Sequence, residues 1–176
     1  MATIAVIGTF DTKGGEHAFV AEKIRARGHR ALLIDVGSGS PPTITPDFTR
    51  EQVAAFAGMD LASLLARGDR GECVVAMSEA APVFLAKLAA THDIDGVISL
   101  GGGGGTAIST AAMRALPLGF PKLMVSTLAA GNTAPYLGTK DIVMMPSIAD
   151  VAGLNRLSRI IFSRACLLYT SDAADE

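Results

Sequence analysis

Short runs of apolar residues alternate along the chain with stretches in which apolar residues recur every three or four positions. The runs, which are rich in β-branched and aliphatic residues, predict five strands over residues 3–7, 31–36, 96–100, 122–127 and 141–145. The helical spacing predicts helices over residues 16–27, 49–57, 71–91, 106–115 and from about residue 153. Strands separated by helices are typical of βαβ units, so the predicted fold class is α/β: Rossmann-like, with a mostly parallel sheet flanked by helices.

Three local features refine these helices. Thr49, with Gln52 three residues later, predicts a capped helix start. Pro82 is expected to kink the helix over 71–91 or to split it in two. The best candidate for a membrane-spanning run, residues 83–90, is interrupted by Lys87, so no run is judged long enough and no membrane partner is expected.

The composition is that of a folded cytoplasmic protein. Of the 176 residues, 49% are hydrophobic and 18% are charged, which is enough to build a core. Lys and Arg number 15 against 17 Asp and Glu, a net charge of −2, so direct nucleic-acid binding is not expected. The two cysteines cannot form a disulfide framework, and the N-terminus lacks a signal-peptide pattern, which together suit the reducing cytosol.

Candidate chemistry lies in the segments that follow the strands, because parallel sheets bind ligands at the carboxyl ends of their strands. The segment 8–16 offers backbone N–H groups, hydroxyls, the cation of Lys13, and carboxylates at Asp11 and Glu16. It could hold a phosphate at the start of the next helix, with Mg²⁺ on Asp11 or Glu16. The spacing is not that of a P-loop. A plain glycine turn, with Glu16 stabilising the helix start, is an equally open interpretation.

Five consecutive glycines, Gly101 to Gly105, follow the third strand and precede Thr106. Glycine takes positive φ freely and lets the backbone approach an oxyanion closely. The N–H and hydroxyl of Thr106 would join such a phosphate cradle. The alternative is a tight turn needed for helix–strand packing, but five glycines exceed what a turn needs, so phosphate binding is favoured.

Other polar residues near strand ends allow two interpretations each. After the fourth strand, Ser126 and Thr127 could bind phosphate or metal and Asn132 could read an amide or base edge, unless Asn132 merely caps a surface loop. Asp150 could be a metal ligand, although capping of the next helix is favoured. Asp35 could read a ribose hydroxyl or be structural. The histidines, at positions 17, 29 and 92, have no ligand spacing and are expected at helix ends or on the surface.

These segments together resemble the Tm-1-like ATP-binding family, also known as the uncharacterised protein family UPF0261. The resemblance begins with Gly8-Thr9-x-Asp11-Thr12-Lys13-Gly14-x-Glu16 and the glycines 101–105 with Thr106. It continues in order through residues 122–127, 131–138, 141–145 and 150–156, and covers essentially residues 1–165. The family implies two Rossmann-like subdomains with ATP between them. Its plant member inhibits tobamovirus RNA replication, and its microbial members have no established reaction.

Carried over position by position, the resemblance implies ATP as the cofactor, with Mg²⁺ a possible companion. The implied nucleotide contacts are Thr9, Asp11, Thr12, Lys13, Gly102, Gly103, Gly104, Gly105, Thr106, Thr127 and Asn132. Gly103 departs from the family pattern, since members often have Ser there. Catalytic residues are not assigned. The alternative function is a small-molecule kinase or other ATP-dependent enzyme, which the absence of an Asp among the five glycines disfavours.

The domain expectation is a Rossmann-like nucleotide-binding subdomain over 1–165 that forms the N-terminal part of a longer architecture. Residues 166–176 resemble the translation of a sequencing-library adapter, which predicts an artefactual tail and a truncated fragment. Without a second half, the ATP cleft would be incomplete and apolar surface would be exposed. The arginines of the last helix form a polar face that could contact a partner. Assembly, including homo-oligomer formation, is therefore a further hypothesis.

Overall fold

The computed structural model describes residues 1–147 and 153–172. The strands are β1 (Thr3–Gly8), β2 (Arg30–Asp35), β3 (Gly96–Gly101), β4 (Lys122–Ser126) and β5 (Val143–Pro146). The helices are α1 (Phe10–Arg25), α2 (Arg50–Phe56), α3 (Leu61–Ala66), α4 (Arg70–Ala90), α5 (Gly103–Arg114), α6 (Ala134–Leu137) and α7 (Arg156–Asp172). The five predicted strands are confirmed, with bounds shifted by one or two residues.

The strands form one parallel sheet in the order β2-β1-β3-β4-β5. After β1 the chain moves to one edge of the sheet to form β2, then returns to the other side of β1 to form β3. The order therefore reverses between β1 and β3, which makes the carboxyl ends of these two strands the topological switch point of an α/β sheet. The predicted Rossmann-like α/β class is confirmed.

Alternate residues of each strand bury their side chains on opposite faces of the sheet, and each face carries its own core. On one face, Ile7, Ile34 and Met124 pack with residues of α2, α4 and α5. On the other face, Val6 and Val125 pack with residues of α1 and α7. Both faces of the sheet are covered, as the continuous apolar strands require.

Helix α4 differs from its prediction in two respects. It runs unbroken from Arg70 to Ala90 with Pro82 inside, so the expected split is wrong. It is also long and apolar enough to cross a membrane, by length and composition alone. The statement that no apolar run is long enough is corrected accordingly. One such helix does not establish a span, because core helices of globular proteins meet the same test.

The remaining differences concern helix starts and short helices. Helix α1 begins at Phe10 and helix α5 at Gly103, several residues earlier than predicted. Glycines follow the first turn of α1 and form that of α5, and they obscured the helical pattern in the sequence. The short helices α3 and α6 were not predicted. The cap on α2 is confirmed, since Thr49 and Gln52 exchange reciprocal hydrogen bonds at its first turn.

Candidate functional site

The candidate site lies at the switch point, where β1 and β3 diverge. Their pairing ends at Ile7 and Ser99, and the chains then lead into α1 and α5. The N-termini of these two helices thus lie at the same edge of the sheet. The unpaired N–H groups and the dipole of a helix N-terminus favour a negatively charged ligand.

The segment after β1 is helical, which corrects its prediction as a loop. Thr9 is the N-cap of α1, and residues 10–12 form a first turn that ends at Lys13, whose φ of −131° and ψ of 30° break the helix. The Thr9 hydroxyl lies 2.9 Å from that of Thr12. It also lies 3.5 Å from the position a Cβ would take on Gly105. The start of α1 and the glycine segment are therefore in direct contact.

Asp11 lies on the side of this turn that faces the segment after β2. Its two carboxylate oxygens come within 3.0 Å and 2.9 Å of the positions that a Cβ would take on Gly37 and Gly39. Its Oδ1 is buried and has no hydrogen-bond partner in the described part of the chain. A buried carboxylate oxygen without a partner is costly, and it often marks the place of a water or an ion.

Lys13 and Glu16 face a cavity beside the ends of β3 and β4. The Lys13 ammonium lies 4.0 Å from Glu16 Oε1, which also accepts a hydrogen bond from the N–H of Gly153. The cavity has a volume of about 20 Å³ and is bordered also by Thr127 and Ser147. A space of this size holds a water molecule but no larger ligand. This geometry favours a structural role for Glu16, although the residue lies inside α1 and not at the helix start, which is at Phe10.

The five glycines have three different roles. Gly101 ends β3, Gly102 is the N-cap of α5, and residues 103–105 are the first turn of that helix. None of the five has a φ in the left-handed region, so that argument for glycine is wrong here. At Gly101, a Cβ would lie 2.8 Å from the backbone nitrogen of Thr106. Packing requires glycine there.

The first turn of α5 is free of such constraints. A Cβ on Gly103 would meet nothing within 4 Å, and at Gly104 or Gly105 it would make contacts of 3.6 Å and 3.5 Å, which are ordinary. Glycine in a helix is less stable than alanine by about 1 kcal/mol. Protein packing thus gives no reason for glycine at these three positions.

Thr106 is placed differently from its predicted role. Its side chain is fully buried, and its hydroxyl lies 2.7 Å from the Ser126 hydroxyl. Its N–H donates to the carbonyl of Gly102. Both polar groups are hydrogen-bonded within the protein, so Thr106 links α5 to β4.

The segment after β4 lies farther along the same edge. Thr127 is half-buried and donates its N–H to the carbonyl of Gly101. Asn132 is exposed, and its Oδ1 accepts from the N–H of Ala134 at the start of α6. The capping interpretation of Asn132 describes this geometry. Asp150 lies outside the described residues.

The two carboxylate oxygens of Asp35 differ in their hydrogen bonding. It is fully buried at the end of β2, and its Oδ1 accepts hydrogen bonds from the N–H groups of Phe10 and Gly37. Its Oδ2 has no partner among the described residues. Burial raises the pKa of the carboxyl above its usual value. Since no part of the side chain is exposed, a ribose could reach it only after local rearrangement.

His17 is the residue that sequence reasoning misplaced. It was expected at a surface or helix end, yet it is fully buried between β1 and β3. Its Nδ1 lies 2.7 Å from the Lys13 carbonyl, and its Nε2 accepts from the N–H of Leu100 at 3.4 Å. Burial lowers the pKa of the ring to about 4. A signal was present: His17 precedes Val20 by three residues and Ile24 by seven, on the apolar face of α1.

Two further observations concern metal binding and a second groove. Among residues 1–147 and 153–172, no group of three His, Cys, Asp or Glu side chains is arranged to hold a metal ion. A larger groove of about 950 Å³ lies at the opposite, amino-terminal edge of the sheet, beside Met1, Leu118 and Phe120. None of the described residues that line it begins a helix, so the carboxyl edge remains the better candidate for an anionic ligand.

The fold and this edge define an α/β protein with an anion-favouring switch point between two helix N-termini. The chain belongs to the UPF0261 family: residues 2–174 match the model of the uncharacterised protein family (UPF0261) N-terminal domain. The expected membership of UPF0261 is thereby confirmed.

The relatives include bacterial and plant proteins. A UPF0261 protein of Rhizobium meliloti is 49% identical over 173 residues, which cover 98% of this chain and 42% of that protein. A UPF0261 protein of Clostridium tetani is 42% identical over 92% of this chain and 40% of its own length. The tomato ToMV susceptible protein tm-1(GCR26), from Solanum lycopersicum, is 34% identical over 90% of this chain and 23% of its own length. The chain spans less than half the length of these relatives.

The last residues are continuous with the fold as far as they are described. Helix α7 extends to Asp172, and Cys166 is fully buried in the core between α1 and α7. Burial raises the pKa of the Cys166 thiol to about 11, so the thiol is inert at neutral pH. The family match also passes residue 166. The assignment of 166–176 as an artefactual tail stays a prediction that neither observation supports.

Proposed function

We propose that this chain is an ATP-binding module that holds nucleotide phosphates against the first turn of α5. The observation that carries the proposal is the glycine run 103–105, which is exposed at Gly103 and half-buried at Gly104, and in which packing does not require glycine. Each glycine weakens the helix, so selection for some other property is needed to explain three in succession. Close approach of a phosphate to the backbone N–H groups supplies that property.

The start of α1 supplies the other groups of the proposed site. The Thr9 hydroxyl adjoins Gly105, and Thr12, whose hydroxyl pairs with that of Thr9, is exposed. Lys13 lies just beyond, at the helix break, and would supply a point charge to the phosphates. Thr9, Thr12 and Lys13 are thus the side chains that we assign to the phosphates, together with the N–H groups of residues 103–105.

Mg²⁺ would accompany the phosphates and not occupy a prebuilt cage. Magnesium in nucleotide sites is held by one or two carboxylates together with phosphate oxygens. Asp11 fits this role, because its Oδ1 is buried without a partner in the described structure. Asp11 would hold the ion beside the phosphates, and the Mg²⁺ would compensate the negative charge of both the carboxylate and the phosphates.

Calorimetric titration of the protein with ATP–Mg²⁺ tests the proposal. We expect saturable binding by the wild-type chain, and a loss of about tenfold in affinity for Gly103→Val, whose side chain would occupy the proposed phosphate surface. Lys13→Ala should weaken binding to a similar extent, whereas Lys87→Ala, on the exposed side of α4, should leave it unchanged. Circular dichroism confirms that each variant is folded.

The proposal fails if the wild-type chain binds no ATP at millimolar concentration. The proposed position of the phosphates is wrong if Gly103→Val and Lys13→Ala are folded and bind ATP with wild-type affinity. Release of inorganic phosphate or transfer to a small co-substrate in the same samples would indicate an enzyme instead of a binding module.

A further inference from the structure

His17 connects the two halves of the candidate site through its imidazole ring. One ring nitrogen contacts the carbonyl of Lys13, the residue at which α1 is broken. The other contacts the N–H of Leu100, two residues before the N-cap of α5. No other described side chain bonds both segments.

The partners fix the tautomer of the ring. A carbonyl only accepts and a backbone N–H only donates, so Nδ1 must carry the proton and Nε2 must be the acceptor. The neutral ring has one donor and one acceptor, and both are used. This match explains how a histidine can be completely buried at this point without an unsatisfied polar atom.

The ring bridges two points at which the regular backbone geometry changes. Lys13 has φ and ψ values that are not helical. The pairing of β1 with β3 ends at Ile7 and Ser99. The imidazole joins the two segments that lead away from the point where these strands separate.

We propose that His17 is a positioning residue of the nucleotide site, which in its Nδ1–H form holds the segment of Lys13 at a fixed distance from the glycine turn after β3. The inference rests on the proposed function for the identity of the ligand. The ring does not touch the nucleotide. It sets the direction of the Lys13 backbone and the end of β3, and through them the opening between the two helix N-termini.

Three variants separate the two hydrogen bonds. An Asn side chain can place its amide N–H near the position of Nδ1, and a Gln side chain can place its carbonyl near that of Nε2. His17→Asn therefore keeps the bond to Lys13 and loses that to Leu100, and His17→Gln does the reverse. His17→Leu removes both at similar volume. His92→Asn, at an exposed position on the opposite edge of the sheet, is the matched control.

The first measurement needs no ligand. The ¹⁵N spectrum of the imidazole should show a neutral Nδ1–H ring that does not titrate between pH 8 and 6. In His17→Leu, the amide signals of Lys13 and residues 101–105 should shift together, whereas in His92→Asn they should not. An Nε2–H tautomer, or unchanged amide signals in His17→Leu, would overturn the positioning role even if ATP binds.

The second measurement is calorimetric titration with ATP–Mg²⁺. We expect an affinity loss of about tenfold for His17→Leu, and smaller losses for His17→Asn and His17→Gln, since each retains one bond. Wild-type affinity in a folded His17→Leu would overturn the inference. If the wild-type chain binds no ATP, the proposed function is refuted by that result alone, and the amide signals still decide whether His17 sets the geometry of the edge.

Discussion

Gly8 and His17 are so closely packed that a Cβ on residue 8 would lie 1.9 Å from Nε2 of the imidazole. The ring can occupy the gap between β1 and β3 because residue 8 has no side chain. The relationship is reciprocal: glycine at the end of β1 is needed by the histidine of α1, and the histidine in turn accepts a hydrogen bond from the N–H of Leu100 on β3.

Replacement of Gly8 by alanine should therefore destabilise the protein. The methyl group would force the ring out of place, at a cost of about 1–3 kcal/mol for overpacking, in addition to the hydrogen bonds that the ring would lose. Urea denaturation of the Gly8→Ala variant measures the change in the free energy of unfolding.

Gly15→Ala is the matched control for this substitution. A Cβ at Gly15 would meet nothing within 4 Å, and alanine favours the helix, so this variant should be as stable as the wild type or slightly more stable. Adding His17→Ala to Gly8→Ala should reduce the cost of the glycine substitution, since the clash disappears. Equal destabilisation at both glycines would contradict the argument.

The buried imidazole should make stability depend on pH. The pKa of His17 is lowered from 6.5 to about 4 by burial, while the hydrogen bond to the Lys13 carbonyl and the charge of Glu16 oppose the shift. Between these two values the unfolded chain binds a proton that the folded chain does not. Stability should therefore fall as the pH drops from 6.5 towards 4, by about 3 kcal/mol at most, and this contribution should level off below pH 4.

The comparison of wild type with His17→Gln isolates this contribution. Urea denaturation at several pH values between 4 and 6.5 should give a shallower dependence for the variant, because Gln does not titrate. The other histidines are present in both proteins and cancel. Parallel curves for the two proteins would show that His17 is not buried in its neutral form.

The sheet could be predicted from the sequence because its strands are buried on both faces and read as continuous apolar runs. Residues 96–100 and 122–127 are such runs, and they appear as β3 and β4. The first residues of the helices were predicted less accurately than the strands. At α5, three glycines form the first turn, and intrinsic propensity opposes a helix there.

The sequence predicted which segments meet at the candidate site but not which side chains contact each other there. The segments after β1 and β3 do meet, as their places after parallel strands require. The hydroxyl of Thr106 instead pairs with Ser126, which no local pattern reveals because the two residues are 20 positions apart. The partner of His17 on β3 is 83 positions away, so only the tertiary fold shows why this histidine is buried.

The glycines of residues 101–105 should respond differently to alanine. Gly101→Ala should be destabilising, since its Cβ would lie within 3.0 Å of backbone atoms of Gly105 and Thr106. Gly103→Ala should leave stability unchanged or raise it by up to about 1 kcal/mol, because its side chain would point into open space at the start of a helix. Thermal unfolding of the two variants without ligand provides the comparison.

This pair of variants also separates stability from function. If glycine at 103 serves a ligand, the more stable variant should be the weaker binder. A Gly103→Ala protein that is less stable than Gly101→Ala would show that the first turn of α5 has a packing constraint absent from the structure described here.

The ion pair between Lys122 and Asp141 should stabilise the amino-terminal end of β4. The Lys122 ammonium is fully buried, lies 2.7 Å from Asp141 Oδ1 and donates to the carbonyls of Pro117 and Phe120. Asp141 accepts hydrogen bonds from the Lys122 ammonium and from the N–H of Gly119. Both lower the pKa of its carboxyl, Lys122 more than Gly119, and the result is a pKa of about 2. Asp141→Asn should therefore destabilise the protein at pH 7, because it leaves a buried ammonium without its counter-ion.

The sign of the pH effect follows from the lowered pKa. The stabilisation is present above pH 3.8, the unfolded value, and is lost as the pH falls towards 2, so the difference between wild type and Asp141→Asn should shrink over that range. Glu72→Gln is the control, since its pair with Arg67 has both side chains about half exposed, at 48% and 54%, and exposed pairs contribute about 0–1 kcal/mol. Urea denaturation at pH 7 and at pH 3 tests both variants. If Asp141→Asn and Glu72→Gln destabilise the protein equally at pH 7, the buried ion pair contributes no more to stability than the exposed one.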